Sequence, residues 1–163
     1  MANQKGMRKV VIWGNSGAGK STLARALGLP HLDLDTLAWL PGVPPQRSPL
    51  AQASQALRAF AEGHAEWVIE GSYSDLIEVA LSLCEHAVFL DPGVERCLEN
   101  CRNRPWEPHK YASFEEQQAN LAMLLQWVAD YEVRQDEFSR RAHEQLFESF
   151  AGSKQRQGEF SPE

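Results

Sequence analysis

Apolar residues fall along this chain in short, nearly unbroken runs separated by segments of helical period. Lys9-Val10-Val11-Ile12-Trp13, Trp67-Val68-Ile69-Glu70 and Ala87-Val88-Phe89-Leu90-Asp91 are β-prone, with consecutive rather than alternating hydrophobic positions, the pattern of strands buried on both faces. His31-Leu32-Asp33-Leu34-Asp35 predicts a shorter strand carrying two carboxylates at its end. Between the strands, residues 22–27 and 94–102 read as helices, as do 76–83 and a segment from Ser48 and Pro49 to about Glu62, with glycine stops at Gly28 and Gly63. Further on, Ser113-Phe114-Glu115-Glu116 is a capping box. Phe114, Leu121, Leu125 and Val128 then repeat at helical spacing, predicting one long helix to about Arg134 and a last helix over 137–150.

Strands alternating with helices predict a parallel sheet covered on both faces, a three-layer α/β/α fold with four or five strands. No clear fifth strand follows from the pattern. Residues 1–152 are expected to form a single domain and residues 153–163, all but one of them polar, glycine or proline, a flexible tail. Two segments cannot continue any element: Pro41-Gly42-Val43-Pro44-Pro45, and the stretch 102–112, whose two prolines exclude regular helix and whose other side chains are largely cationic and aromatic. The second is expected to be a mobile lid.

Composition narrows the function. A chain of 163 residues, 43% hydrophobic, suits one domain with a substantial core. Its net charge of −6 argues against a dedicated nucleic-acid binder and for a small substrate. No apolar run approaches the ~18 residues a bilayer span needs, and the N-terminal residues carry no signal-peptide core, so a cytoplasmic location with no membrane partner is expected. Three cysteines, Cys84, Cys97 and Cys101, fit reduced thiols. Cys97, Cys101 and His109 make at most an incomplete metal set, and core thiols are the competing reading.

The most specific chemistry lies at Gly14-Asn15-Ser16-Gly17-Ala18-Gly19-Lys20-Ser21, a complete G-x-x-x-x-G-K-S phosphate loop followed by Thr22. A buried strand delivers the chain, glycines let the backbone fold around a polyphosphate, and the next helix presents unpaired N–H groups and a positive dipole end. Lys20 is expected to reach the β- and γ-phosphates and the Ser21 hydroxyl to meet Mg²⁺. No Asn/Thr-Lys-x-Asp segment for reading guanine is evident, which favours ATP.

A phosphate loop after strand one, carboxylates after strand two, an acid after strand three, Asp91-Pro92 after strand four and an arginine-rich loop together resemble the small P-loop kinases, the group of shikimate, gluconate and nucleoside monophosphate kinases. The resemblance covers about residues 8–150 and implies transfer of the ATP γ-phosphoryl group to a small acceptor, with Mg²⁺. Leu32-Asp33-Leu34-Asp35 resembles the shikimate-kinase D-x-D, which implies Asp33 near the metal and Asp35 near the acceptor; a helix cap is the structural alternative. Asn103-Arg104-Pro105 resembles the lid arginine-proline, which implies Arg104 on the transferred phosphoryl group, with Arg102 and Lys110 as alternates.

Tyr131-Glu132-Val133-Arg134 resembles the family's tyrosine-x-x-arginine, implying Arg134 on an anionic group of the acceptor, although a surface ion pair explains it equally. Glu70 occupies the Walker B position and competes with Asp91 for that role. Trp39, Gly71, Tyr73 and Trp106 are candidates for the acceptor wall, with burial in the core the competing reading for the aromatics. In place of the triple glycine of shikimate kinases the chain has Glu70-Gly71-Ser72-Tyr73, which with Leu34-Asp35-Thr36-Leu37-Ala38-Trp39 is closer to adenylate-kinase-related and topology-modulation-like P-loop proteins. A nucleotide-dependent switch with no small acceptor is the competing class.

Overall fold

The computed structural model describes residues 8–158. β1 (Lys9–Gly14) enters the phosphate loop, followed by α1 (Lys20–Leu27), β2 (His31–Asp33) and the short α2 (Asp35–Ala38). A hairpin of β3 (Trp39–Leu40) and β4 (Gln46–Arg47) brackets the proline-rich loop and leads to α3 (Leu50–Glu62), β5 (Trp67–Gly71), α4 (Ser74–Leu81), β6 (His86–Leu90) and α5 (Val94–Arg102). After the lid come α6 (Phe114–Ala119), α7 (Leu121–Ala129), a 3₁₀ turn (Asp130–Glu132), α8 (Arg140–Ser149) and β7 (Ser153–Gln157). The main sheet is parallel, in the order β2-β5-β1-β6-β7.

Because successive side chains of a strand point to opposite faces, β1 divides its residues between two cores. Val11 and Trp13 pack with Ile69, Phe89 and the inner faces of α3 and α4, including Leu57, Leu76 and Ile77. Val10 and Ile12 pack with Val68, Val88 and Leu90 against Leu23 of α1, Cys97 and Leu98 of α5, and Val128 of α7. The sheet is thus apolar on both sides, as the unbroken hydrophobic runs require, and each large side chain buried in it contributes about 1.5–3 kcal/mol.

Three sequence expectations change. Residues 153–157 are the fifth strand rather than a flexible tail: β7 pairs along β6 from His86↔Ser153 to Leu90↔Gln157, and residues 159–163 lie outside the described part. An edge strand has only one neighbour, so Lys154 and Arg156 keep polar side chains and leave no apolar signature. Second, β2 ends at Asp33, whose Oδ1 accepts the Asp35 N–H at 2.9 Å and turns the chain into α2. Asp35 is therefore a helical residue, and the two acids do not share a strand face. Third, the expected long helix is broken at Asn120. Its N–H is shared between the Glu116 and Gln117 carbonyls and its side chain donates to Tyr111 Oη at 2.9 Å, pulling the chain toward the lid. Among the described residues no helix is long and apolar enough to cross a membrane.

Candidate active site

A cavity of about 530 Å³ opens where β1, β2 and β5 end, roofed by the segment from Asn103 to Lys110. This is the carboxyl edge of the sheet, beside the reversal of strand order, where open α/β sheets place ligands. Ser16, Gly17, Gly19, Lys20, Ser21 and Thr22 line it, with Gly14, Asn15 and Ala18 completing the body of the loop. Two glycines are sterically required. A Cβ on Gly14 would lie 2.3 Å from the Leu90 carbonyl oxygen, and one on Gly17, at φ +82°, would lie 2.4 Å from that of Cys97.

Side chains lock the loop. Asn15 Nδ2 donates to the Val128 carbonyl at 3.2 Å, Asn100 Nδ2 to the Gly17 carbonyl at 2.8 Å, and Lys20 Nζ to the Asn15 carbonyl at 2.8 Å. Burial lowers the Lys20 pKa, opposed by the Glu70 and Asp35 carboxylates. An ammonium held at the mouth of a helix N-terminus is suited to an incoming polyphosphate.

Glu70 is the penultimate residue of β5, opposite Ile12 of β1, with its side chain only 3% exposed. It accepts from Ser21 Oγ at 2.9 Å and from His31 Nε2 at 2.9 Å, the second a contact that no motif in the sequence marks. The alternation of His31 and Asp33 onto one face of β2 is legible in the sequence, whereas the register that sets Asp33 opposite Glu70 is decided by strand pairing. Asp33 and Asp35 line the same cavity. Burial and the nearby Glu70 and Asp35 carboxylates raise the Asp33 pKa. Burial pushes Asp35 the same way, but the Lys110 ammonium, 2.8 Å from Asp35 Oδ2, together with hydrogen bonds from Lys110 and Tyr73, holds it below the usual carboxylate range. The two acids are thus driven apart in protonation.

Behind Asp35, Tyr73 Oη donates to its Oδ1, and Trp39 Nε1 donates to Tyr73 Oη at 2.8 Å. Burial and the adjacent Asp35 raise the Tyr73 pKa, so the phenol stays a donor. Trp39 and Tyr73 support Asp35 and are not among the cavity-lining residues, whereas Gly71 is.

The roof carries Arg104, whose Nη1 lies 3.5 Å from Glu107 Oε1. Lys110 reaches Asp35 and stands 3.8 Å from Asp33 and 3.7 Å from Glu107. Burial alone would lower its pKa, but Asp35 and Asp33 raise it. Arg25, Arg96 and Asn100 complete a polar rim.

Other candidates lie elsewhere. Arg102 is exposed at the end of α5 and does not line the cavity. Arg134 stacks on Trp127, its guanidinium carbon 3.4 Å from the ring centroid, and pairs with Asp136 at 2.6 Å; it too is outside the cavity. Its local stacking and ion pair consume the planar guanidinium. Asp91 accepts from Arg140 at 2.8 Å and from Arg156, and does not line the cavity either. Cys97 and Cys101 are buried in the α5 face, and burial pushes the Cys97 thiol up to about 11. Among the described residues no group of three or more His, Cys, Asp or Glu forms a metal cage.

No protein-family model and no curated protein matches this chain. Solved structures similar to it include deoxyadenosine kinase from M. mycoides with bound dATP, at 12% identity over 94% of this chain and 92% of that one, TM-score 0.48. A gluconokinase from Sinorhizobium meliloti 1021 is 22% identical over 90% and 95% of the two chains, TM-score 0.42. Shikimate kinase from Acinetobacter baumannii, in complex with shikimate, is 21% identical over 88% and 93%, TM-score 0.42. The chain's five-stranded parallel sheet, its helices on both faces and its glycine loop between β1 and α1 make it a three-layer α/β/α P-loop NTPase fold.

Proposed function

We propose that this protein is an ATP-dependent phosphotransferase that moves the γ-phosphoryl group to a hydroxyl or phosphate of a small acceptor. One observation carries the reading: the phosphate loop and the Asp33/Asp35 pair face a single cavity, so donor and acceptor chemistry meet across it. The loop amides and Lys20 hold the polyphosphate, Arg104 serves the phosphoryl oxygens from the roof, and Asp35 orients the acceptor. An acid kept ionised by Lys110 is a weak base. That suffices for a loose transition state in which positioning and electrostatics dominate.

Mg²⁺ is bound by one or two carboxylates together with substrate phosphates rather than by an all-protein cage. The Ser21 hydroxyl and Glu70 carboxylate, 2.9 Å apart with Asp33 across the strand pair, are a hard-oxygen set that fits it. When bound, the ion neutralises phosphate charge. The protein's own part is to hold the phosphates and keep Ser21 and Glu70 in place.

Two substitutions test the reading. Lys20→Ala is expected to remove most ATP affinity by calorimetry. Asp35→Asn is expected to abolish phosphotransfer to acceptors drawn from a metabolite panel while leaving ATP affinity within about threefold, the signature of an interaction made only during reaction. Unchanged ATP binding by Lys20→Ala refutes the nucleotide site. If no acceptor is phosphorylated by the wild-type protein and Asp35→Asn leaves slow ATP hydrolysis unaltered, the kinase reading fails. The second reading, a nucleotide-dependent switch, then gains from the Lys110–Asp35 contact, which ties the roof to α2 and gives bound nucleotide a segment to move.

A further inference from the structure

Of the four acids that line the cavity, Asp33, Asp35, Glu70 and Glu107, Glu70 is the least exposed, and a carboxylate in that setting takes its orientation from its donors. Its Oε2 has two, Ser21 Oγ and His31 Nε2, each at 2.9 Å. A carboxylate oxygen only accepts here, so the imidazole carries its proton on Nε2. The order of the three groups is informative. The acid stands between hydroxyl and imidazole, the reverse of the order in which a histidine activates a serine nucleophile, so the cluster is built to orient and not to abstract a proton from Ser21. A hydroxyl that gives its proton to Glu70 also keeps its lone pairs for a cation.

We propose that His31 is a positioning residue for a divalent cation carried by the nucleotide: it fixes Glu70, and Glu70 fixes the lone pairs of Ser21. The inference rests on the reading of this cavity as a magnesium-nucleotide site. Outer groups of this kind typically change metal affinity by about 10–100-fold. His31 sits on the edge strand β2, its side chain 25% exposed, so replacing it opens no core void.

The test uses Mn²⁺ and ADP, which need no acceptor and no turnover. Free Mn²⁺ is followed by electron paramagnetic resonance in the presence of saturating ADP, and ADP affinity without metal is measured by calorimetry in chelator. His31→Leu removes the donor; His31→Gln restores an N–H. The leucine variant is expected to bind Mn²⁺ about tenfold more weakly with metal-free ADP affinity unchanged, and the glutamine variant to recover most of the loss. Mn²⁺ affinity of His31→Leu equal to wild type, a glutamine variant as weak as leucine, or an equal loss of metal-free ADP binding each overturns the proposal. If His31→Leu does not fold, His31→Thr, too short to reach Glu70, supplies the same arm. Wild-type protein that takes up no Mn²⁺ with ADP overturns both this proposal and the nucleotide reading. If the variants behave as expected but no acceptor is ever phosphorylated, only the phosphotransferase reading falls.

Discussion

His143 on α8 is fully buried, with Nε2 2.8 Å from the Ser72 carbonyl oxygen and Nδ1 2.7 Å from Tyr131 Oη. The carbonyl accepts only, so Nε2 carries the proton and Nδ1 accepts from the phenol; the neutral ring is satisfied at both nitrogens. Burial depresses its pKa to about 4, despite the bond to Ser72. The unfolded chain has the ordinary value near 6.5 and therefore binds more protons between the two values. Stability from this residue is complete above pH ~6.5 and is lost as pH falls toward ~4, by at most about 3 kcal/mol. Urea denaturation across that window should show a shallower acid limb for His143→Gln than for the wild-type protein; superimposable pH dependence would refute the assignment. Ser72 lines the cavity, so the same residue joins α8 to the cavity wall.

At the scale of elements, Asp91 shows how a plausible catalytic acid becomes a fastener. It follows β6, its backbone N–H donates to the Gln157 carbonyl at 2.8 Å, and its side chain, 7% exposed, accepts from Arg140 of α8 and Arg156 of β7. Asp91→Ala leaves both guanidiniums without their shared acceptor and is expected to cost about 1–3 kcal/mol in urea unfolding, since both arginines stay partly solvated. Nucleotide affinity should not change. Loss of metal-dependent nucleotide binding with stability intact would return Asp91 to the site. Arg134 follows the same logic just past the 3₁₀ turn after α7, where Trp127 and Asp136 give it local partners. Motif spacing specifies which residue types recur, but not whether a nearer aromatic ring or carboxylate claims the side chain first.

For the whole molecule, the sheet order makes β7 a structural strand of the domain although its sequence is polar. A chain ending at Gly152 loses the ladder from His86 to Leu90 and exposes the edge of β6. Ladder bonds contribute about 0.5–1.5 kcal/mol each, so a loss on the order of 3–5 kcal/mol and a lower melting temperature are expected, with increased self-association. Calorimetric melting that matches the full chain would show the strand to be dispensable. Neighbours along the chain are enough to specify the doubly buried strands, from their unbroken apolar runs, the helices between them, and the phosphate loop, whose glycines and Lys20 act within a few residues of one another. Tertiary structure decided what depends on residues far apart. It placed β7 against β6, put His31 on Glu70 and Lys110 on Asp35, and drew Asp91 onto Arg140 and Arg156, whereas the turn of Asp35 into α2 and the pairing of Arg134 with Asp136 are local events that no periodic pattern marks. Short-range backbone preferences leave a periodic mark on a sequence, whereas a polar side chain's partner is settled by which opposite charge the folded chain brings within a few ångströms.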